Sequence, residues 1–257
     1  MQVASKNHCI EKLPDMDSSK VAEKIEILLH DLAEPYTPPG SSVKAVIHQW
    51  IHALHSGAPL FAEKNRSLKK AEIIRLLVQE GFMTEKHNFK KTVCEAFRLK
   101  SKTKEGLKFI DLFAGIGGMR LGFEGAGGTC VFSSEFEKNA QATYLENHGE
   151  LPFGDITKIS ERDIPEHDVL VAGFPCQPFS HAGLKLGVDD TRGTLFFDIA
   201  RILKEKKPSF ALLENVKGLV SHDKGHTLQV ILRVLTDIGY QCVVDKKIID
   251  KGDAREI

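Results

Sequence analysis

The run Phe109-Ile110-Asp111-Leu112-Phe113-Ala114-Gly115-Ile116-Gly117-Gly118 passes from a short apolar strand pattern into a glycine-rich turn and then into a helical pattern. Gly115, Gly117 and Gly118 let the backbone turn tightly there and approach a ligand closely, because a residue without Cβ reaches left-handed conformations at little cost. Outward from this run, short apolar stretches alternate with amphipathic ones from Lys108 onward, the pattern of an α/β fold with a mainly parallel sheet. Strands are expected near Lys108–Leu112, Thr129–Ser134, Asp168–Gly173, Phe210–Glu214 and Tyr240–Ile249. Helices are expected near Gly118–Glu124, Phe136–Asn147, Thr194–Glu205 and Thr227–Ile238.

Glu135 falls at the end of the strand after the loop, about 20 residues past the glycines, where an acidic side chain commonly accepts hydrogen bonds from a ribose. The loop has neither the G-x-G-x-x-G spacing nor the Lys-Ser/Thr of a P-loop, which counts against NAD and ATP. S-adenosylmethionine, with ribose and adenine but no phosphate, suits it better. In Phe153-Gly154-Asp155-Ile156, Asp155 would end a third strand, where its carboxylate would accept the exocyclic amine of adenine. Taken alone, it reads equally as a turn-capping aspartate. Phe113 and Phe136 would sandwich the adenine, although a lone aromatic at a strand end is more often core.

Farther along, Gly173-Phe174-Pro175-Cys176-Gln177-Pro178-Phe179-Ser180 puts one cysteine between two prolines at the expected end of a buried strand. A free thiol is usually a buried structural group. Here the prolines stiffen the turn, the polar residues 180–192 follow, and open α/β sheets place their chemistry at the carboxyl ends of strands. Acting as a nucleophile would require the thiolate. Glu214 ends the apolar run Phe210–Leu213 and is expected to be partly desolvated, the condition under which a carboxyl holds a proton near neutrality. The alternative is a surface glutamate capping the next turn, and Asn215 and Val216 would hold it in place. The 11 histidines show no metal-ligand spacing with carboxylates, so no metal is expected, and His222 and His226 read as solvated or structural. Cys130 and Cys242 lie in strand patterns and are expected in the core.

Upstream of Lys108 the chain reads as helical. Val21, Ile25, Leu28, Leu29 and Leu32 follow Ser18-Ser19, an expected N-cap, and Val43, Val46, Ile47, Trp50, Ile51 and Leu54 precede Gly57. Residues 35–40 read as a loop. Ser67–Glu80, closed by Gly81, and Phe89–Leu99 make two further helices before the polar stretch 100–106. Two regions are therefore expected: a helical N-terminal extension over 1–105 and a cofactor-binding and catalytic region over 106–257.

With 257 residues, 42% hydrophobic and 27% charged, the chain can bury a substantial core, and no run approaches the roughly 18 apolar residues of a membrane span. Five scattered cysteines without paired spacing fit a reducing cytoplasm. The net charge of zero hides an asymmetry. Residues 1–108 carry 18 Lys and Arg against 13 Asp and Glu, and residues 109–257 carry 17 against 22. The basic excess is concentrated in Lys64–Lys108, with 13 basic and 5 acidic residues, a segment able to attract phosphate.

From about Lys108 to Ile249 the chain resembles the DNA (cytosine-5) methyltransferases, especially the bacterial Dcm-like branch of restriction-modification methylases. Phe109–Gly118 is similar to that family's cofactor loop, Gly173–Ser180 to its catalytic loop and Glu214-Asn215-Val216 to its catalytic Glu-Asn-Val. Gly193–Asp198 is similar to the segment whose leucine, here Leu195, lines the cofactor pocket. The resemblance implies a Rossmann-like, S-adenosylmethionine-dependent fold and a bacterial cytoplasmic enzyme that methylates carbon 5 of a cytosine flipped out of double-stranded DNA. It implies Cys176, Glu214 and Asn215 as catalytic residues. For the cofactor it implies Asp111, Phe113, Gly115, Gly117, Gly118, Glu135, Phe136, Asp155, Ile156, Pro175 and Leu195. A restriction endonuclease would be a functional companion.

The family's Gln-x-Arg-x-Arg segment, target-recognition region and final helix are not found before Ile257. The expectation is a catalytic half, either a truncated product or one subunit awaiting a complementing C-terminal partner. Two rival readings are a DNA-binding regulatory protein acting through residues 18–100 and a tRNA cytosine-5 methylase.

Overall fold

The computed structural model of the chain describes residues 17–100, 106–175 and 195–243. Four strands, β1 (Lys108–Leu112), β2 (Thr129–Ser134), β3 (Val169–Gly173) and β4 (Phe210–Glu214), form one sheet in the order β2-β1-β3-β4, with every pairing parallel. Helices α5 (Gly118–Gly125), α6 (Lys138–His148), α7 (Leu195–Lys206) and α8 (His226–Asp237) complete this half. The alternating pattern places these eight elements to within one or two residues, because all four strands are short apolar runs, β1 to β3 being buried on both faces. The expected strand over Tyr240–Ile249 is not seen across 240–243, where the Tyr240 hydroxyl donates to the Pro208 carbonyl at 2.7 Å, and residues 244–249 lie outside the described residues.

The N-terminal part folds into α1 (Ser18–Ala33), α2 (Val43–Ser56), α3 (Lys70–Gln79) and α4 (Lys91–Ala96). The cap of α1 is Asp17 rather than Ser18-Ser19: its carboxylate accepts from the Ser19 amide at 3.5 Å and hydroxyl at 2.9 Å. A charged acceptor is the stronger partner for a helix N-terminus. Within the expected loop, Glu34–Tyr36 makes a 3-10 turn entered through Pro35. The fourth helix begins two residues late because Phe89 pairs with Met83 in an antiparallel bridge, leaving Lys90 extended.

The change of sequence rhythm near residue 106 is not a boundary in the core. One cluster of buried side chains runs from Val21, Ile25 and Leu29 through Trp50 and Phe61 to Phe132, Leu170 and Leu203. Phe61 lies 4.5 Å from the Phe153 ring, centroid to centroid, and 6.1 Å from Phe132. The register of β1 on β2 slips by one between Phe109–Cys130 and Ile110–Phe132, leaving Val131 without a partner on β1. Its carbonyl instead accepts from Gln49 Nε2 at 3.0 Å, while Gln49 Oε1 accepts from the Phe61 amide at 2.8 Å. An amide side chain of α2 thus satisfies an irregularity of the sheet that would otherwise be buried unpaired.

Charge follows the same division of labour. Arg66 pairs with Asp163 at 2.6 Å, Lys64 with Glu166 at 3.4 Å and Arg98 with Glu146 at 3.6 Å, and Lys100 meets Glu124. Part of the basic excess of Lys64–Lys108 therefore meets the acidic excess of the following half inside the molecule.

Candidate functional site

The loop after β1 is built on left-handed residues. Phe113 (φ 56°), Gly115 (φ 55°) and Gly117 (φ 87°) turn the chain so that Gly117 caps α5. Ala114 donates to the Ser134 carbonyl at 3.0 Å and Gly117 to the Ala114 carbonyl at 2.8 Å, which fixes the loop against the end of β2. Gly117 is required for two reasons, its positive φ and its packing, since a Cβ there would lie 2.1 Å from Nε2 of His148 and 3.1 Å from the Tyr144 ring. At Gly115 and Gly118 a Cβ would meet nothing within 4 Å, so this face of the loop is open to a ligand.

Glu135 stands directly after β2 and spans the opening. Its Oε2 accepts from the Gly115 amide at 2.7 Å and its Oε1 from the Glu137 amide at 2.7 Å. The carboxylate is thereby oriented with lone pairs to spare for hydroxyl donors. Phe136 beside it is 75% exposed, an aromatic face left in solvent, and Phe113 is half-buried. Asp111 is buried beneath the loop with Oδ2 unpartnered. Burial pushes its carboxyl up to about 7, against the pull of the Arg120 guanidinium and a bond from the Arg120 backbone N–H, with Glu135 adding to the rise.

The expected third strand reduces to a single parallel bridge between Phe153 and Ser134. Phe153 donates to the Ser133 carbonyl at 2.9 Å and accepts from the Glu135 amide at 2.8 Å, after which the chain leaves the sheet. Asp155 caps the 3-10 turn Ile156–Lys158 by accepting from the Thr157 amide at 3.0 Å, the alternative weighed above, with one carboxylate oxygen committed to the cap. Ile156 is buried, and its carbonyl accepts from Arg201 Nη2 of α7 at 2.7 Å. Leu195, half-buried, opens α7.

At the other end of the opening, β3 stops at Gly173, followed by buried Phe174 and exposed Pro175. Cys176 lies outside the described residues. Gly173 is in register with Glu214 on β4, and a Cβ on Gly173 would lie 3.3 Å from Oε2 of Glu214, so the carboxylate lies across the end of β3. Glu214 is exposed, not partly desolvated as expected. Among the described residues β4 is an edge strand, and its side carrying Phe210, Leu212 and Glu214 stands open while Ala211 and Leu213 face the core cluster. Asn215 Nδ2 donates to the Phe174 carbonyl at 2.7 Å and its Oδ1 accepts from the Val216 amide at 2.8 Å, tying the loop before Cys176 to the strand that carries Glu214.

The glycine loop, Glu135, Asp155, Pro175 and Glu214 therefore lie along the carboxyl ends of adjacent strands, where open parallel sheets bind ligands. Cys130 is buried as expected, and burial pushes its thiol well above the ordinary cysteine range; Cys242 is exposed, outside any strand. Among the described residues no cluster of His, Cys, Asp or Glu could hold a metal, and His222 bonds to Thr227 Oγ1 at 2.7 Å.

Sequence reasoning missed the buried polar group under the loop. Arg120 on α5 donates to Glu124 at 2.7 Å, Glu150 at 2.6 Å and the Tyr144 hydroxyl at 2.9 Å, and the His148 ring packs on Tyr144 at 4.6 Å. His52 reaches the same group from α2, donating to the Gly149 carbonyl at 3.2 Å and lying 3.7 Å from Glu150. The one available signal was an arginine two residues past Gly118, in the helix turn that must face the sheet.

The family model for C-5 cytosine-specific DNA methylase matches residues 107–250. The type II methyltransferase M.DsaV of Dactylococcopsis salina is 61% identical over 150 residues, 58% of this chain and 42% of that protein. The type II methyltransferase M.NlaX of Neisseria lactamica is 66% identical over 137 residues, 52% of this chain and 44% of that protein. The crystal structure of the S. pombe Dnmt2 methyltransferase aligns at 27% identity with a TM-score of 0.43, covering 52% of this chain and 43% of that one. The chain spans less than half the length of these curated relatives.

Proposed function

This chain belongs to the C-5 cytosine-specific DNA methylase family, and on that premise we propose that it is the cofactor-binding and catalytic part of a type II enzyme that methylates carbon 5 of cytosine in double-stranded DNA. The observation that carries this reading is an open glycine loop with Glu135 at the carboxyl ends of β1 and β2 and, at the ends of β3 and β4, Glu214 with its neighbour Asn215 bonded to the Phe174 carbonyl. The residues fit S-adenosylmethionine. Glu135 has acceptors for the ribose hydroxyls, Phe136 offers an uncovered ring to the adenine, and the loop presents bare backbone at Gly115 and Gly118. When bound, the cofactor supplies a methyl group on sulfonium sulfur as the electrophile.

The protein's own residues address the other half of the problem, because carbon 5 of cytosine is a poor nucleophile. The Cys176 thiolate adds to carbon 6 while Glu214 supports protonation of ring nitrogen 3, and the resulting enamine is nucleophilic at carbon 5. After methylation, loss of the carbon 5 proton expels the Cys176 thiolate and restores the ring. Asn215 positions rather than reacts: by bonding to the Phe174 carbonyl it ties the end of β3, two residues before Cys176, to the strand that carries Glu214. The target base must leave the stack for any of this, so duplex DNA is bound with the cytosine flipped out. A complementing C-terminal subunit, a companion endonuclease and a cytoplasmic location belong to the same proposal; among the described residues no helix is long and apolar enough to cross a membrane.

The rival reading of residues 18–100 as a DNA-binding unit has weaker support, since Arg66, Lys64, Arg98 and Lys100 are spent on acidic partners within the chain. The test is covalent trapping. Duplexes carrying 5-fluorocytosine, which cannot lose fluorine as a proton, should form an adduct with the chain in the presence of S-adenosylmethionine and the C-terminal half of a relative. The adduct should vanish in Cys176→Ala. No adduct, or one that survives that substitution, refutes the proposal.

A further inference from the structure

The peptide that carries Asp155 is held on one side by β2 and on the other by the helical N-terminal part. Two contacts make the second hold. Ser41 Oγ accepts from the Gly154 amide at 3.0 Å, across 113 residues of sequence. Gly154 and Gly40 pack backbone to backbone: a Cβ on Gly154 would lie 2.2 Å from the Gly40 carbonyl oxygen and 3.3 Å from the Ser41 Cα. On its other side Gly40, with φ 79°, lies against Asp155 itself, its Cβ position 3.8 Å from the Asp155 Cβ. Three residues upstream, the Leu151 amide donates to Nδ1 of buried His48, whose Nε2 in turn donates to Glu26 at 2.9 Å.

The need for this hold follows from the sheet. Phe153 is the last residue of its segment to pair with β2, so Gly154 leaves the ladder with a free donor, and Asp155 has no strand to fix its direction. A part-buried amide without a partner is costly, and while Asp155 caps the turn and Arg201 holds it at the Ile156 carbonyl, its exit from the sheet at Gly154 is set by neither. Ser41 supplies the missing acceptor, and Gly40 closes the space into which the Asp155 backbone would otherwise relax.

We propose that Gly40 and Ser41 are positioning residues for the adenine-reading turn Gly154–Ile156, so that the helical N-terminal part builds one wall of the cofactor site. This rests on the cofactor reading above and assigns residues 17–100 a part in nucleoside selection in place of DNA binding. The hold acts only on the turn, so its loss should weaken recognition of the exocyclic amine and leave the ribose contacts of Glu135 in place.

The experiment compares binding of S-adenosylhomocysteine and its deaminated counterpart S-inosylhomocysteine to the full chain by calorimetry. The unaltered chain should prefer the adenosyl ligand. Ser41→Ala should reduce its affinity by about tenfold, the loss of one well-made hydrogen bond, and shift the inosyl ligand less than about twofold. Ser41→Thr, which keeps the hydroxyl, should restore the preference, and Gly154→Ala should lose it as Ser41→Ala does. Equal weakening of both ligands, no change in either, or no preference in the unaltered chain overturns the inference while leaving the cofactor reading standing. Failure of the unaltered chain to bind either ligand refutes the cofactor reading instead. Amide hydrogen exchange at Gly154 then tests the hold without ligand: acceleration in Ser41→Ala supports it, and unchanged protection overturns it.

Discussion

Gly117→Ala tests whether the cofactor loop is shaped by packing from below as well as by its own backbone. An alanine at φ 87° is in the left-handed region, at a cost of roughly 1–2 kcal/mol relative to glycine. Its Cβ would also arrive 2.1 Å from Nε2 of His148. His148 cannot swing aside freely, being buried and packed at a tilt against the Tyr144 ring at 4.6 Å. Forcing an extra carbon into such a site typically adds about 1–3 kcal/mol. The substitution should therefore destabilise the chain by about 2–5 kcal/mol in urea unfolding. The two contributions separate in a double-mutant cycle: made in a His148→Ala background, Gly117→Ala should cost only the roughly 1–2 kcal/mol of backbone conformation. An equal cost in both backgrounds, or less than about 0.5 kcal/mol in the unaltered chain, would refute the reasoning.

Asp111, whose carboxyl is pushed up to about 7 by burial, is raised above its unfolded value, so it contributes stability below pH 4 that disappears as pH rises through 7. Between pH 5 and pH 8 the unaltered chain should lose about 2–3 kcal/mol on this account, and Asp111→Asn should flatten that part of the profile in urea titrations at several pH values. Glu150→Gln leaves the buried Arg120 with Glu124 as its remaining carboxylate partner and should lower stability by about 1.5–3 kcal/mol, with thermal unfolding as the measure. Asn215→Ala removes the bond to the Phe174 carbonyl and should cost about 1 kcal/mol. Asn215→Asp, which faces that carbonyl with a second acceptor, should cost more, and the reverse order would show that the bond does not hold the loop.

The elements of the sheet half were readable because strands buried on both faces read as short apolar runs: Lys108–Leu112 and Thr129–Ser134 appear where those runs put them. The glycine loop and Glu135 were readable for a related reason, since backbone that must approach a ligand restricts the residue types it can use. What escaped was whatever depends on a partner far along the chain. Arg120, Glu150 and His52 converge across 98 residues with no period to announce them. Phe153 keeps one pairing with β2 and then leaves, which an apolar residue before a glycine does not distinguish from a full strand. The exposure of Glu214 likewise follows from the position of β4 at a sheet edge, a fact of strand order that alternation within β4 does not encode. Helical periodicity in Val43–Leu54 showed that α2 buries a stripe but was silent on what covers it; the answer is α1 together with β2 from the far half of the same core.

The shared core also sets an order of events during synthesis. Phe61 leaves the ribosome long before Phe132 and Phe153, the rings it packs against. At roughly 5–20 residues per second, the stretch from Phe61 to Phe153 takes on the order of 5–20 s to emerge. During that interval Phe61 lacks both rings and Gln49 Nε2 lacks the Val131 carbonyl, so the side of the N-terminal part that meets β2 stands uncovered while Trp50 already packs on Tyr36. The helical part is translated first but finishes folding only with the sheet, a delay in which a nascent-chain chaperone has a surface to hold.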